Sequence, residues 1–351
     1  MSKLRIGYAP LSKDLNTAGD RRRLVFWANA RGHEIITDLD QKVDVLVVSE
    51  KSNFNSSLFA KTRAPIVFDL VDAYLSPKSL SDDLGRGVAK WCTRSITGTI
   101  KPFSHHVRDF CLIADAVICS SVEQKDLITR VNQNTHVILD SHEEIDFLER
   151  SEDIAKRPQA NRLLWEGQPA TIAGIRQVSS TLLQLQNSVG IELDFLTDVH
   201  YFKLLGKYFK GETLDLVQSV IPKSFDSFEI VPWSIDNLVA VAKNSKLGLI
   251  PIDLSVPMQR LKPENRMLIM WRLGLPCLTS PSPAYTRVAS AAGVSSICHD
   301  SNDWLSKASN LLEDEIFAHE EILKGQNYLR ENHTGKILLE KWDNLIESVL
   351  R

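Results

Sequence analysis

Along nearly the whole chain, short runs of consecutive apolar residues alternate with longer stretches whose apolar positions recur at helical spacing. The first read as strands and the second as helices, and their alternation predicts parallel βαβ units. In the N-terminal half the pattern predicts a strand at Leu4–Ala9, a helix over Thr17–Arg31, and strands at Glu34–Thr37, Val43–Val48 and Pro65–Val71. A helix is expected between the last two. A helix over His105–Ile113, a strand at Ala116–Ser120, a helix over Val122–Val131 and a strand at His136–Leu139 follow. The runs from Val43 and Ala116 are almost continuously apolar, as strands covered on both faces require.

Around Glu149–Asn161 the pattern lapses into charge and a proline, which marks a linker. The rhythm then restarts. Strands are predicted at Arg162–Trp165, Glu192–Leu196, Phe228–Val231, Lys246–Pro251, Pro276–Thr279 and Val294–Cys298. Helices are predicted over Ile172–Asn187, Ile235–Lys243, Glu264–Arg272, Pro283–Ala292, Asn302–Gly325 and Lys336–Leu350.

With 351 residues, the chain exceeds one ordinary α/β domain. The expected architecture is α/β, with two Rossmann-like, doubly wound parallel-sheet domains over 1–155 and 156–335 and a terminal helical segment over 336–351. Such sheets bind ligands outside the carboxyl ends of their strands, so two facing carboxyl edges would make a cleft the site.

Composition narrows the function classes. Hydrophobic residues make up 43% and charged residues 24%, which is globular, and the net charge of −3 argues against a generally basic nucleic-acid binder. The five cysteines are scattered without CxxC spacing, which predicts free buried thiols in a reducing compartment. No apolar leader and no membrane-length apolar run is seen, so a cytoplasmic protein is expected. Between Arg86 and Arg108 lie Lys90, Arg94, Lys101, Trp91 and Phe103 and no acidic residue. That stretch is either a solvated helix face or a peripheral contact with anionic lipid at the inner face of a membrane.

The string KPENRMLIMWRLGLPCLTS at Lys262–Ser280 resembles the donor-binding segment of GT-B glycosyltransferases, in which a loop enters a helix that ends at Gly-x-Pro before a short strand. Val231–Leu238, Ser245–Ile252 and Arg162–Gly167 resemble the preceding segments of that donor domain. Val67–Asp72 and Ala114–Ser121 resemble segments of the acceptor domain. The resemblance spans most of the chain and rests on the order and spacing of these segments. It implies a terminal helix that returns to the first domain.

The chemistry of the segment agrees with the resemblance. Pro263 suits a first helical position, and a helix start offers free amides and partial positive charge to a diphosphate. Lys262 and Arg266 add full charges that would neutralise a departing nucleoside diphosphate. Many members of the family carry two glutamates with seven residues between them here; at the matching positions this chain has Leu261 and Ile269. Ribose and sugar contacts would then fall to Glu264 or Asn265. Glu166 and Gly167, at the first donor-domain strand and turn, and Trp233 complete the donor-side candidates. Trp233 and Trp165 suit either stacking on a nucleobase or rim packing.

In the first half, the loop after the first strand carries Gly19 and Arg21 to Arg23, which could meet phosphate or an anionic acceptor; Gly19 and Arg23 are the donor-binding candidates there. On the acceptor side the candidates lie further along. Asp69 and Asp72 close a buried-looking strand, where a carboxylate serves either as a base or as a cap. His142 follows the last strand of the first half and resembles the family's pre-linker loop. His105 and His106 lack acidic partners nearby, so no metal site is read from them.

The expected function is transfer of a sugar from a nucleoside-diphosphate donor to an acceptor hydroxyl, in glycan biosynthesis. The nucleotide-sugar is a co-substrate, and no metal or other cofactor is implied. A glycan, a lipid-linked molecule and a protein all stay open as acceptor. Two alternatives also remain: an isomerase or epimerase of the same fold, and a non-catalytic nucleotide-sugar binder.

Overall fold

A computed structural model describes residues 2–53, 59, 62–76, 79–150, 158–203 and 209–351. By their contacts these form two compact units. One comprises Met1–His142, Leu261–Pro263 and Thr334–Arg351, and the other Glu143–Arg260 and Glu264–His333.

The first unit is built on a parallel sheet of β1 (Arg5–Ala9), β2 (Glu34–Ile36), β3 (Val45–Ser49), β4 (Ile66–Leu70), β5 (Ala116–Cys119) and β6 (Thr135–Val137), in the order β2-β1-β3-β4-β5-β6. Every residue of β3, β4 and β5 is buried, as their apolar runs require. Tyr8, Val45, Val47, Val67 and Ile118 pack with Trp27 and with Trp342, Leu345 and Ile346 of the helix Gly335–Leu350. Trp342 stacks on Trp27 at 5.7 Å between ring centroids, and Asp343 accepts the Trp27 indole N–H at 2.8 Å.

The helix predicted over Thr17–Arg31 is broken into Ala18–Arg21 and Leu24–Arg31. Arg23 sits between them at φ −120° and ψ −105°, off the helical path, and its side chain turns into the core. A local pattern could not reveal this, because the break is set by partners far along the chain. The stretch from Arg86, read as a helix face or a lipid contact, begins inside the helix Leu80–Cys92, whose first turns the pattern did not mark. The helix expected before β4 lies mostly outside the described residues.

The second unit has a parallel sheet of β7 (Asn161–Glu166), β8 (Ile191–Thr197), β11 (Phe228–Pro232), β12 (Leu247–Ile250) and β13 (Cys277–Thr279), in the order β11-β8-β7-β12-β13. An antiparallel pair, β9 (His200–Lys203) with β10 (Phe209–Glu212), stands apart from it. The predicted strand Val294–Cys298 is reduced to one bridge between Thr279 and Ile297. The stretch expected as a helix over Ile172–Asn187 begins instead as a 3₁₀ helix, Pro169–Val178, before the α-helix Ser179–Val189. Gly174 lets the 3₁₀ helix lie against the chain leaving β12, since a Cβ there would fall 2.4 Å from the Pro251 carbonyl oxygen. The long helix expected over Asn302–Gly325 is two, Ser301–Glu313 and Glu315–Asn332. Asp314 caps the second by accepting the amides of Ile316 and Phe317 at 3.1 and 2.9 Å.

Glu143–Arg150, read from sequence as the end of the first half, is fastened to the second unit. Arg272 reaches Glu143 at 3.1 Å and covers the Phe147 ring, and the Leu148 amide donates to the Arg272 carbonyl at 2.8 Å. The core of the expected linker, residues 151–157, lies outside the described residues. Four cysteines are buried, but Cys92 is exposed, against the expectation of five buried thiols. No described helix is long and apolar enough to cross a membrane.

Candidate functional site

In the first sheet the chain runs from β1 to β2 on one side and to β3 on the other, so its switch point lies between β1 and β3. In the second the switch lies between β7 and β12. Loops diverge from the carboxyl ends of the strands at these points and leave room for a ligand.

In the first unit the loop after β1 is organised by Asp20. Its buried carboxylate accepts from the Tyr8 hydroxyl at 2.6 Å, from the Leu11 and Ser12 amides at 2.8 and 3.0 Å, and from the Thr17 hydroxyl at 2.6 Å. Gly19 makes room for this loop, since a Cβ there would fall 2.2 Å from Leu11 Cδ1. The close approach that its lack of a side chain allows is to Leu11.

Arg23 and Asp69, which the sequence offers as binding and catalytic groups, are instead bonded to each other. Arg23 Nε donates to Asp69 Oδ2 at 2.9 Å, and its Nη1 donates to the Ile138 carbonyl at 2.8 Å and to Asp140 at 3.1 Å. Arg23 is 0% and Asp69 1% exposed. Burial works against the Arg23 charge, but the two carboxylates outweigh it and hold the guanidinium firmly protonated. A pair so enclosed braces β4 and the end of the sheet, and neither group is open to solvent. His142 is likewise buried, next to Ser141, whose amide donates to the Arg22 carbonyl at 2.7 Å.

Asp72 differs. Its side chain is one-third exposed, 3.8 Å from Lys262. Its amide donates to Glu50 at 2.7 Å, and its carbonyl accepts from Gln124 at 3.0 Å. Glu50, the residue after β3, was missed by the sequence reading. It is 4% exposed, and burial, reinforced by the Asp72 charge, pushes its carboxyl up to about 8. The signal that singled out Asp69 and Asp72, an acid closing a buried strand, applies equally to Glu50. Lys262 belongs to this unit by its contacts: beside its pairing with Asp72, the neighbouring Leu261 carbonyl accepts from the Ser121 hydroxyl at 3.1 Å.

In the second unit four donor-side candidates converge on the end of β7. Glu166 accepts the Trp233 indole N–H at 3.0 Å, and its carbonyl accepts from Arg266 Nη1 at 3.2 Å. Gly167 follows, and a Cβ there would press within 3.1 Å of the Trp165 ring and 3.0 Å of Thr171 Oγ1. Trp165 is fully buried, which makes it core, while Trp233 remains half-buried at the rim. Glu264 stands at the N-cap of the helix Asn265–Arg272 and is 3% exposed, with Arg287 at 3.5 Å. Asn265 and Arg266 are half-buried. Arg266 also meets the Tyr285 hydroxyl, which burial pushes up to about 12. Tyr285 and Arg287 lie on a helix that carries no motif and could be assigned only in three dimensions.

Ile269, at one matched glutamate position, is 3% exposed in the body of its helix. Gly274 ends that segment at φ +62°, where a Cβ would meet the Leu148 carbonyl at 2.3 Å, so glycine is required there for both reasons. A cavity of about 380 Å³ lined by Trp271, Cys277, Lys307 and Glu321 opens at the start of β13, the end of the sheet away from Glu166. Among the described residues no three His, Cys, Asp or Glu side chains are grouped to hold a metal ion.

The basic stretch is only partly solvated. Lys90 lies over the buried Phe103 ring at 5.2 Å, Arg86 lies over Tyr74 at 5.4 Å, and Lys101 pairs with Asp109. Arg94, Arg108 and Trp91 are exposed.

No family model matches the sequence, and neither does any curated protein. Solved structures do resemble the fold. Anabaena Alr3699/HepE, in complex with UDP and glucose, aligns with a TM-score of 0.65 at 11% identity, over 98% of this chain and 100% of that one. WaaG, a glycosyltransferase involved in lipopolysaccharide biosynthesis, aligns with a TM-score of 0.58 at 12% identity, over 97% of this chain and 99% of its own. TarM aligns with a TM-score of 0.59 at 10% identity over 86% of this chain, which spans 54% of the TarM chain. With its two doubly wound parallel sheets, the chain has the GT-B glycosyltransferase fold.

Proposed function

We propose that the chain is a glycosyltransferase that takes a sugar from a nucleoside diphosphate and passes it to an acceptor hydroxyl. The observation that carries this reading is the convergence of Arg266, Glu166 and Trp233 at the switch point of the second sheet. Breaking the bond between the anomeric carbon and the diphosphate oxygen leaves negative charge on the diphosphate. The Arg266 guanidinium and the amides at the start of Asn265–Arg272 supply fixed positive potential for it, so the proposed reaction needs no metal. Trp233 offers an aromatic face at the rim for the base. HepE was solved with UDP and glucose, which makes UDP the first nucleotide to try. In the first unit we assign the acceptor side to Asp72, whose accessible carboxylate can take the hydroxyl proton as the new glycosidic bond forms.

Thermal-shift screening with UDP, GDP, ADP, dTDP and CMP tests the reading, because a ligand specific to the native state raises its midpoint. No shift with any of them would refute it. Buried, apolar Ile269 favours a second reading, nucleotide-sugar binding without transfer. Stabilisation by a nucleotide-sugar with neither hydrolysis nor transfer would select that reading, and conversion of the sugar to an isomer without an acceptor would select an isomerase.

A further inference from the structure

The helix Leu80–Cys92 is packed unusually. The residues it turns toward the neighbouring helix Phe103–Ile113 are small or polar. Asp83 is buried and accepts the Ser104 amide at 3.2 Å, Lys90 lies over Phe103, and Gly87 meets the Lys101 carbonyl so closely that a Cβ would sit 2.0 Å from it. Leu80, Leu84, Val88 and Trp91, spaced four, four and three residues apart, form a stripe along the helix that stays in solvent. They are 71%, 41%, 37% and 43% exposed, and Ile100 nearby is 49% exposed. Isolated exposed apolar side chains are ordinary, but four in register on one helix face mark a surface built to be covered.

The charge around the stripe says what covers it. Five lysines and arginines lie from Arg86 to Arg108, against Asp82 and Asp83 in the first turn of the helix and Asp109 just after. Asp83 is buried and Asp109 pairs with Lys101, which leaves the exposed cations in excess over exposed Asp82. Arg94 follows the helix directly and is exposed. At the other end, a groove of about 330 Å³ is lined by Leu75, Leu80, Asp83, Ser104, His105 and Arg108, which sets a guanidinium beside the first leucine of the stripe. Asp83 is committed to Ser104 there.

We propose that this helix docks on an anionic phospholipid bilayer. Leu80, Leu84, Val88 and Trp91 enter the boundary between headgroups and acyl chains, and Arg94 and Arg108 meet lipid phosphates. Apolar burial and cation attraction each add to such binding, and only the second is screened by salt. The proposal does not rest on the transferase reading, since the helix is described entirely within the first unit.

Flotation of the full chain with vesicles of phosphatidylcholine, with and without phosphatidylglycerol, tests it. The chain should float with the anionic vesicles at low salt and lose most of that binding at high salt. Leu84→Asp and Trp91→Ser should each lower the partition coefficient by about tenfold or more, while Arg94→Glu with Arg108→Glu should remove chiefly the salt-sensitive part. Brominated lipids should quench part of the fluorescence, and Trp91→Phe should abolish that part. Circular dichroism establishes that each variant is folded; since all these side chains are exposed, a variant that does not fold is replaced by Val88→Asp. Equal recovery with neutral and anionic vesicles, or variants that float like the parent, would overturn the proposal. Self-association of the parent that Leu84→Asp abolishes, with no flotation, would assign the stripe to a second copy of the chain and overturn it as well.

Discussion

Arg23 Nε donates to Asp69 Oδ2 at 2.9 Å, with both side chains closed off from solvent. Removing the cation would leave Asp69 and Asp140 facing each other without a counter-charge. Arg23→Ala should therefore cost about 3–5 kcal/mol of stability, whereas Asp69→Asn, which leaves Arg23 its bond to Asp140, should cost less. Urea unfolding of the two variants checks the order. A loss below about 1 kcal/mol for Arg23→Ala would mean that water reaches the pair.

Glu50 predicts a pH dependence. Its carboxyl titrates near 8 in the fold against an ordinary 4.5, so folding favours its protonated form. The stability it contributes is complete below about pH 4.5, declines as pH rises, and is gone above about pH 8. Glu50→Gln, which stays neutral and can still accept the Asp72 amide, should match the parent near pH 5 and exceed it near pH 8.5 by on the order of 1–3 kcal/mol. Melting temperatures across that range are the measurement; parallel curves would place the titration elsewhere.

Arg266 is expected to matter for nucleotide binding more than for folding, because it is half-buried and bonds a backbone carbonyl. Arg266→Ala should weaken nucleoside-diphosphate affinity by about tenfold to a hundredfold, the range for a lost charged hydrogen bond. Calorimetric titration reads it directly. Unchanged affinity would move the diphosphate away from the end of β7.

Trp342→Ala should cost about 3–5 kcal/mol, the usual result of emptying a buried tryptophan site. The loss should appear in the first unit, whose Trp27 it stacks on, and amide exchange in Leu24–Arg31 should speed up. Protection lost only in the second unit would contradict this packing.

Strand positions were legible because apolar runs reflect burial on both faces of a sheet, a property each strand carries locally. The caps and stops of Pro283–Ala292 were legible for the same reason, since proline at the start and Gly293 just past the end act within a few residues. Glu166 and Gly167 could be singled out through the resemblance of Arg162–Gly167 to a donor-domain strand and turn, with an acid and a glycine directly after a buried run. Glu50 satisfied half of that description and was passed over. The break at Arg23 and the outward-facing stripe of Leu80–Cys92 could not be read, since each depends on what a distant segment presents.

The amino-acid sequence by itself determined the two-sheet α/β architecture and the kind of ligand edge it creates, because hydrophobic period and turn chemistry are written residue by residue. Tertiary structure alone decided which charges are spent. Arg23 and Asp69 neutralise each other inside the first unit, while Arg266 and Asp72 stay within reach of solvent. The reason is physical: a side chain's availability depends on its burial and its partner, and both are supplied by residues far away in the chain.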